Sequence, residues 1–393
     1  MTSLTVLGAT GSIGTSTLAL VDEHPGRFRI VALTAQTRVD ELARLALRYR
    51  PELTVIGDAA CYGPLKERLA GTGLAVAAGP DALVAAAELP AERVVAGIVG
   101  IAGLAPSLAA VRQGATVALA NKECLVAAGP LFKAAVSRHR ARLLPLDSEH
   151  NALFQALAGS EGRDVEKLTI TASGGPFRCA ELAEMRAATP EAALRHPNWQ
   201  MGPRITIDSA TMINKGLELI EAHQLFDLPD ERLDVLVHPQ SVVHGMVHYC
   251  DGSVLAQLGC SDMRVPIAYC LGHPERLGSS VPRLDLAALG SLTFTAPDHE
   301  RFPALPLARA CLRAGGAAPT ILNAADEVAV AAFLDRRIGF LDIVAVIEEV
   351  LAEDGRIAPD DLDSVFAIDQ AARRAAWRKV AERSHRPVSE LTP

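Results

Sequence analysis

The sequence predicts an α/β protein: an N-terminal Rossmann-like doubly wound parallel sheet, a central α+β catalytic domain and a C-terminal helical bundle. Three observations predict it. Over the first ~145 residues, short β-branched runs alternate with Ala/Leu-rich segments of helical spacing, the pattern of βαβ units. Gly8, Gly11 and Gly14 stand between the first strand-like run and the first helical one. Toward the C-terminus helical periodicity is almost unbroken, as in 338–353 and 360–382.

The elements follow in order. Strands are expected at Leu4–Leu7, Arg29–Thr34, Leu53–Ile56, Val94–Val99, Thr116–Ala120 and Leu143–Leu146, giving a nucleotide-binding domain over 1–146. Between them, Val39–Arg50 puts Leu42, Leu45 and Ala46 on one helical face. Strand-like runs Lys167–Ala172, Ile205–Ile207, Val235–Val237, Val242–Tyr249 and Ser253–Leu258 lie among helices and define a catalytic domain over 147–271. The Pro- and Gly-rich stretch 272–306 reads as a linker. Residues 307–393 read as a helical domain with a loose tail over 386–393.

Composition narrows the function classes. The 393 residues are 49% hydrophobic and 21% charged, with a mean hydropathy of +0.20, which excludes a mainly disordered chain. A net charge of −8 and only 4% aromatics argue against a nucleic-acid partner. The seven cysteines are scattered and form no CxxC pair, so they read as reduced thiols of a cytoplasmic protein. The N-terminus carries no basic and apolar leader pattern. Val94–Val111 runs without a charge, but Gly97, Gly100, Gly103 and Pro106 interrupt it, so a buried strand, a loop and a helix start are expected rather than a membrane span.

Several groups carry chemistry. The glycine triplet permits a tight turn and a close approach of backbone to a pyrophosphate at a helix N-terminus. The second strand leads into Gln36-Thr37-Arg38, with no carboxylate for a ribose hydroxyl, so NADP is preferred over NAD. Asp147 and Glu149 end an apolar run. In an extended chain they point the same way and suit a divalent cation, although Asp147 or Ser148 equally suits a helix N-cap. Glu218, with Lys215 three residues before it, offers a third carboxylate. All-oxygen ligands favour Mg²⁺ or Mn²⁺ over zinc, and His238, His244 and His248 read as packed or hydrogen-bonded histidines. Ser173-Gly174-Gly175 can present a hydroxyl and N–H groups to an anion, with Ser209, Asn214 and Lys215 as further phosphate ligands. His196–Gly202, holding Trp199, reads either as a lid that excludes water or as a connecting loop anchored by Trp199.

These motifs resemble the 1-deoxy-D-xylulose-5-phosphate reductoisomerase family over nearly the whole chain. The resemblance rests on GATGSIG (8–14), LANKE (119–123), PLDSEHNALFQ (145–155), SGGPF (173–177), HPNWQMG (196–202), DSATMINKGLELIEA (208–222), HPQSVVHGMVHYCDGSVLAQLG (238–259), DMRVPIA (262–268) and NAADEVAVAAFL (323–334). It implies a metal-dependent rearrangement of the sugar phosphate and an NADPH reduction to 2-C-methyl-D-erythritol 4-phosphate, within non-mevalonate isoprenoid synthesis. It implies Asp147, Glu149 and Glu218 as ligands of Mg²⁺ or Mn²⁺, with Co²⁺ as a further candidate. Ser173, Ser209, Asn214 and Lys215 would bind phosphate, while Lys122, Ser148 and Glu149 would contact the sugar. His196 and Trp199 would ride on a closing loop. Thr10, Gly11, Ser12, Ile13, Asn121, Glu123 and Gly202 would line the NADPH site, in a homodimer, and Gln36 and Arg38 join them as cofactor candidates from the reading of the second strand. Two positions depart from the family pattern: Gln36-Thr37-Arg38 replaces Gly-x-Asn, and Asp326 stands where Asn is usual, a position read as structural. The rival readings are another NADP-dependent dehydrogenase of similar layout, which needs no convergent carboxylates, and a non-catalytic nucleotide sensor.

Overall fold

The computed structural model describes residues 1–160, 162–353 and 357–384, and the tail expected over 386–393 lies outside them. Two compact units emerge. One comprises Met1–Cys124, Phe132–Asn151 and Asp262–Arg283; the other comprises Leu125–Leu131, Ala152–Ser261 and the chain from Leu284 onward.

The first unit is built on β1 (Thr2–Leu7), β2 (Phe28–Ala35), β3 (Leu53–Ile56), β4 (Ala75–Ala78), β5 (Arg93–Ala96), β6 (Thr116–Leu119) and β7 (Arg142–Pro145). They form one sheet in the order β4-β3-β2-β1-β5-β6-β7, with every pair parallel. Leu4, Val6, Val31, Leu33, Val55, Val95, Val117 and Leu144 are wholly buried, as a parallel sheet requires. Because β1 lies between β2 and β5, the strand order reverses beside it. A crevice for a ligand opens at such a point, at the carboxyl ends of the strands.

Two sequence expectations are corrected here. β4 is an additional edge strand, which its Ala-Val-Ala-Ala composition conceals because alanine carries little strand preference. The strand expected to reach Val99 ends at Ala96. Gly97 N–H still donates to Leu7 O at 3.0 Å, after which the chain turns into a glycine loop and the helix Leu104–Arg112.

The second unit contains β8 (Val165–Ala172), β9 (Leu233–Val237), β10 (Val243–Tyr249) and β11 (Val254–Leu258), ordered β11-β10-β8-β9. Only β8 and β9 run parallel. The core is continuous from this sheet into the C-terminal helices: Leu168, Ile170, Ile213, Leu217, Leu322, Phe333, Ile347 and Val380 share one cluster. Of the stretch expected as a linker, residues 272–283 pack in the first unit, while Thr295 pairs with Val237 in the second. The strand expected at Ile205–Ile207 is instead part of the helix Pro203–Thr211. Pro203 supplies its first turn, and Thr206, Ile207, Ala210 and Thr211 form one buried helical face. Among the described residues no helix is long and apolar enough to cross a membrane.

Candidate active-site residues

In the first unit the cofactor candidates gather where β1 ends. Gly8 N–H donates to Thr34 Oγ1 at 2.9 Å, and Ala9 N–H to Thr34 O at 2.7 Å, which fastens the loop to β2. The helix Ser12–Glu23 begins at once, with Gly11 as N-cap and no side chain capping it. Its first N–H groups are therefore left to an outside acceptor. A Cβ on Gly14 would lie 2.4 Å from Gly8 O and 2.5 Å from Ala9 Cα, so loop and helix meet backbone to backbone there. A Cβ on Gly11 would make only an ordinary 3.4 Å contact, so folding does not demand glycine at that place. The space it leaves fits a phosphate brought close to the main chain.

The neighbouring candidates join the same mouth. Arg38 donates to Thr10 O at 3.0 Å and pairs with Glu41 at 3.3 Å, so its guanidinium lies beside the glycine loop. Gln36 lies over Gly57 at the end of β3. Ile13 packs against the position where a Gly97 Cβ would stand. Asn121 donates to Ile98 O and, at 2.8 Å, to Gly100 O, and accepts from Cys124 N–H at 2.9 Å. Glu123 accepts from Gly100 N–H at 3.2 Å. Asn121 and Glu123 thus hold the loop after β5 in shape.

The acidic candidates sit on the turn after β7. That strand stops at Pro145 and the helix Ser148–Ala156 starts three residues later, so the extended run assumed for Asp147 and Glu149 is absent. Asp147 takes the position before the helix, where Glu149 N–H approaches Oδ1 at 3.4 Å, and Glu149 falls in the first turn. The helix-start alternative describes the backbone here, and it leaves the carboxylates able to act as ligands. Lys122, buried, places Nζ 2.6 Å from Asp147 Oδ2, and Ser148 Oγ donates to Glu149 Oε2 at 2.5 Å. His150, also buried, brings Nδ1 to 3.4 Å from Asp147 Oδ1. The turn is tied from behind: Asn151 and the Cys270 thiol donate to Pro145 O at 2.9 and 3.3 Å. Burial pushes that thiol up to about 12, so it remains a neutral donor. Sequence reading missed Asn151 and Cys270, which meet at this turn, Asn151 Nδ2 donating to Cys270 Sγ at 3.5 Å.

The second unit carries the anion candidates. β8 delivers Ser173 to a loop in which Gly175 has φ +66°, and a Cβ there would lie 2.9 Å from Ser209 O and 3.0 Å from Ala210 Cα. His196 Nδ1 accepts from Asn198 N–H at 3.2 Å and Trp199 N–H at 2.9 Å, so the ring proton belongs on Nε2 and is donated to Ser173 Oγ at 2.9 Å. Ser173 Oγ also accepts from Gly175 N–H at 3.1 Å, which leaves its own O–H to serve an anion. Trp199 packs edge-on to His244, and Asn198 donates to Pro239 O and Ser241 Oγ, so the segment is seated by side-chain contacts. Gly202 caps the helix that carries Ser209.

The following helix, Ile213–Phe226, carries the rest. Asn214 Nδ2 and Lys215 Nζ each lie 2.5 Å from a different oxygen of Glu218, and all three residues are buried. Glu221, one turn further on, is wholly buried as well. The histidines behave as packed groups: His248 meets Thr169 Oγ1 at 3.0 Å, and His238 meets Thr293 O at 2.9 Å and stacks on Phe294.

Comparison with known proteins agrees along the chain. Residues 4–129 match the family model described as 1-deoxy-D-xylulose 5-phosphate reductoisomerase, 143–226 match that family's C-terminal domain, and 258–375 match the model described as DXP reductoisomerase C-terminal domain. The chain is 58% identical to 1-deoxy-D-xylulose 5-phosphate reductoisomerase of Rhodospirillum centenum over 96% of this chain and 94% of that protein. It is 56% identical to the protein of that name from Ralstonia nicotianae, over 97% and 98% of the two chains. Among solved structures, the Zymomonas mobilis reductoisomerase in complex with NADPH superposes with a TM-score of 0.91 at 52% identity, covering 96% of this chain and 99% of that one. A reductoisomerase in complex with NADPH, fosmidomycin and magnesium gives 0.92 at 43% identity, over 97% and 98%. This chain belongs to the 1-deoxy-D-xylulose 5-phosphate reductoisomerase family.

Proposed function

We propose that this protein converts 1-deoxy-D-xylulose 5-phosphate to 2-C-methyl-D-erythritol 4-phosphate, using NADPH and a divalent cation, in non-mevalonate isoprenoid biosynthesis. The observation that carries this reading is a combination. One chain holds both a glycine loop at a strand-order reversal and two buried lysine–carboxylate pairs, Lys122–Asp147 and Lys215–Glu218. A simple dehydrogenase needs only the first.

Asp147, Glu149 and Glu218 would hold the cation. Their donor atoms are all carboxylate oxygens, which fits Mg²⁺, with Mn²⁺ and Co²⁺ as substitutes to be ranked by titration. When bound, the cation stabilises negative charge on the keto and hydroxyl oxygens during rearrangement, and NADPH supplies the hydride. The chain's own groups bind and orient. Ser173, with its acceptor capacity filled by His196 and Gly175, donates to the phosphate. Ser209 and Asn214 contribute beside it, and an ammonium with three donors lets Lys215 serve both Glu218 and a phosphate oxygen. Lys122, Ser148 and Glu149 contact the sugar. His196 and Trp199 close the segment over it and exclude water. Thr10, Gly11, Ser12 and Ile13 take the pyrophosphate, Gln36 and Arg38 face the ribose phosphate, and Asn121, Glu123 and Gly202 complete the NADPH site.

Two further readings accompany this one. A homodimer is supported by β11, an edge strand whose Val254 and Leu255 are 48% and 51% exposed. A cytoplasmic setting is supported by seven free cysteines. The deciding assay follows NADPH absorbance with purified protein, the sugar phosphate and Mg²⁺. Oxidation is expected only with all three present and is expected to stop on chelation. Turnover that persists in chelator would favour a metal-independent dehydrogenase.

A further inference from the structure

We infer that Arg204 is a positioning residue for phosphate recognition: it locks the helix Pro203–Thr211 onto the helix Ala318–Leu334 and so fixes the groups proposed above to hold the phosphate. Its guanidinium reaches four partners. Nη2 donates to Asn323 Oδ1 at 3.1 Å and to Asp326 Oδ2 at 3.3 Å, Nη1 lies 3.1 Å from Glu327 Oε1, and Nε lies 3.6 Å from Asp208 Oδ2. The second oxygen of Glu327 is held by Arg373 at 2.6 Å, and Arg373 is held in turn by Asp369 at 2.7 Å, on the helix Leu362–Arg383. Asp208, Asp326 and Asp369 are buried and the Arg204 side chain is 18% exposed. Buried ion pairs add little net stability, because desolvation offsets their attraction. What a planar five-donor fork provides is a unique orientation.

That orientation reaches the phosphate groups by three routes, all within one unit. Ser209 lies on the same helix, five residues beyond Arg204. The Ser209–Ala210 backbone forms the wall against which Gly175 fits, and Gly175 N–H in turn bonds Ser173 Oγ. The helix then ends at Met212, with φ +66°, and the chain passes directly into the helix that begins Ile213-Asn214-Lys215. A shift at Arg204 therefore displaces Ser173, Ser209, Asn214 and Lys215 together. Misplacing a binding group by about 1 Å costs on the order of 100-fold.

The inference rests on the phosphate assignment above, and the experiment separates the two. Steady-state constants are measured for full-length wild type, Arg204→Met and Arg204→Lys, with circular dichroism to confirm folding. Arg204→Met is expected to raise KM for 1-deoxy-D-xylulose 5-phosphate roughly 10- to 100-fold, with KM for NADPH within about twofold of wild type. Arg204→Lys keeps the charge without the fork and should fall between. In a double-mutant cycle with Ser209→Ala, the rise in substrate KM of the double variant should be smaller than the product of the two single-variant rises. If Arg204→Met does not fold, Glu327→Gln removes one contact and should raise substrate KM by a smaller factor. An unchanged substrate KM in a folded variant, or equal losses toward both substrates, overturns the inference alone. A wild type that does not turn over the sugar phosphate overturns the phosphate assignment and the inference with it.

Discussion

Gly11 caps the helix Ser12–Glu23 and Gly14 lies in its first turn, three residues on, and different constraints hold them. A side chain at Gly14 would collide with the backbone of Gly8 and Ala9, whereas at Gly11 it would meet only an ordinary contact. Gly11→Ala should therefore leave the unfolding temperature within about 2 °C, a surface-like change, and weaken NADPH binding by roughly tenfold or more as the Cβ holds off the pyrophosphate. Thermal melting and a fluorescence titration with NADPH check both halves; undiminished binding would remove the loop from the cofactor site. Glu218 poses the reverse case. Glu218→Gln keeps the shape but removes the charge facing Lys215, so turnover should fall by about 100-fold or more, while NADPH affinity stays near wild type because Glu218 has no part in the proposed nucleotide site. Breaking a buried pair also costs about 3 kcal/mol, so the assay belongs below the lowered melting point. Loss of NADPH binding in this variant would contradict the roles given to Glu218 and the loop.

At the scale of elements, the Ser173–Pro176 loop shows how a close approach becomes function. Gly175 combines φ +66° with a 2.9 Å approach to Ser209 O, and no L side chain meets both demands without backbone movement. Gly175→Ala should destabilise by about 1–3 kcal/mol and raise KM for the sugar phosphate more than KM for NADPH, read by chemical denaturation and steady-state kinetics. Elements such as β1, β2 and β6 were legible in the sequence because runs dense in Leu, Val, Ile and Thr suit buried parallel strands, even where Thr5 in β1 and Arg29 in β2 break the apolar pattern. The Ile205–Ile207 run was misleading, since its two isoleucines with a threonine between imitate a strand while Pro203 and the spacing of Thr206, Ile207, Ala210 and Thr211 belong to a helix. The turn at Asp147 differs in another way: the residues were identified, but the helix start at Ser148 replaced the extended geometry used to pair them. Local motifs recorded Ser173, His196, Asn214, Lys215 and Glu218, because their chemistry lies within a few residues of chain. The Arg204 network left no such record. Asn323 and Asp326 are 119 and 122 residues away from Arg204, and only folding brings them together.

At the scale of the whole molecule, a net charge of −8 keeps copies of the chain apart unless a specific surface draws them together. β11 offers one. It is the outer strand of the four-stranded sheet, its free edge carries main-chain donors and acceptors, and its five residues Val254-Leu-Ala-Gln-Leu258 include no charge and no proline. Monomeric proteins commonly blunt such an edge with lysine, proline or a bulge. Here Val254 and Leu255 stand about half exposed instead, which is what a self-complementary interface around a two-fold axis would bury. Leu255→Lys places a charge on the second residue of that strand, at a side chain 51% exposed and outside the buried core, so the fold should survive and the dimer should not. Sedimentation velocity at micromolar concentration is expected to show a dimer for wild type and a monomer for the variant, with matching circular dichroism. A variant that stays dimeric would move the interface elsewhere, and a wild type that sediments as a monomer would end the proposal of self-association through this edge.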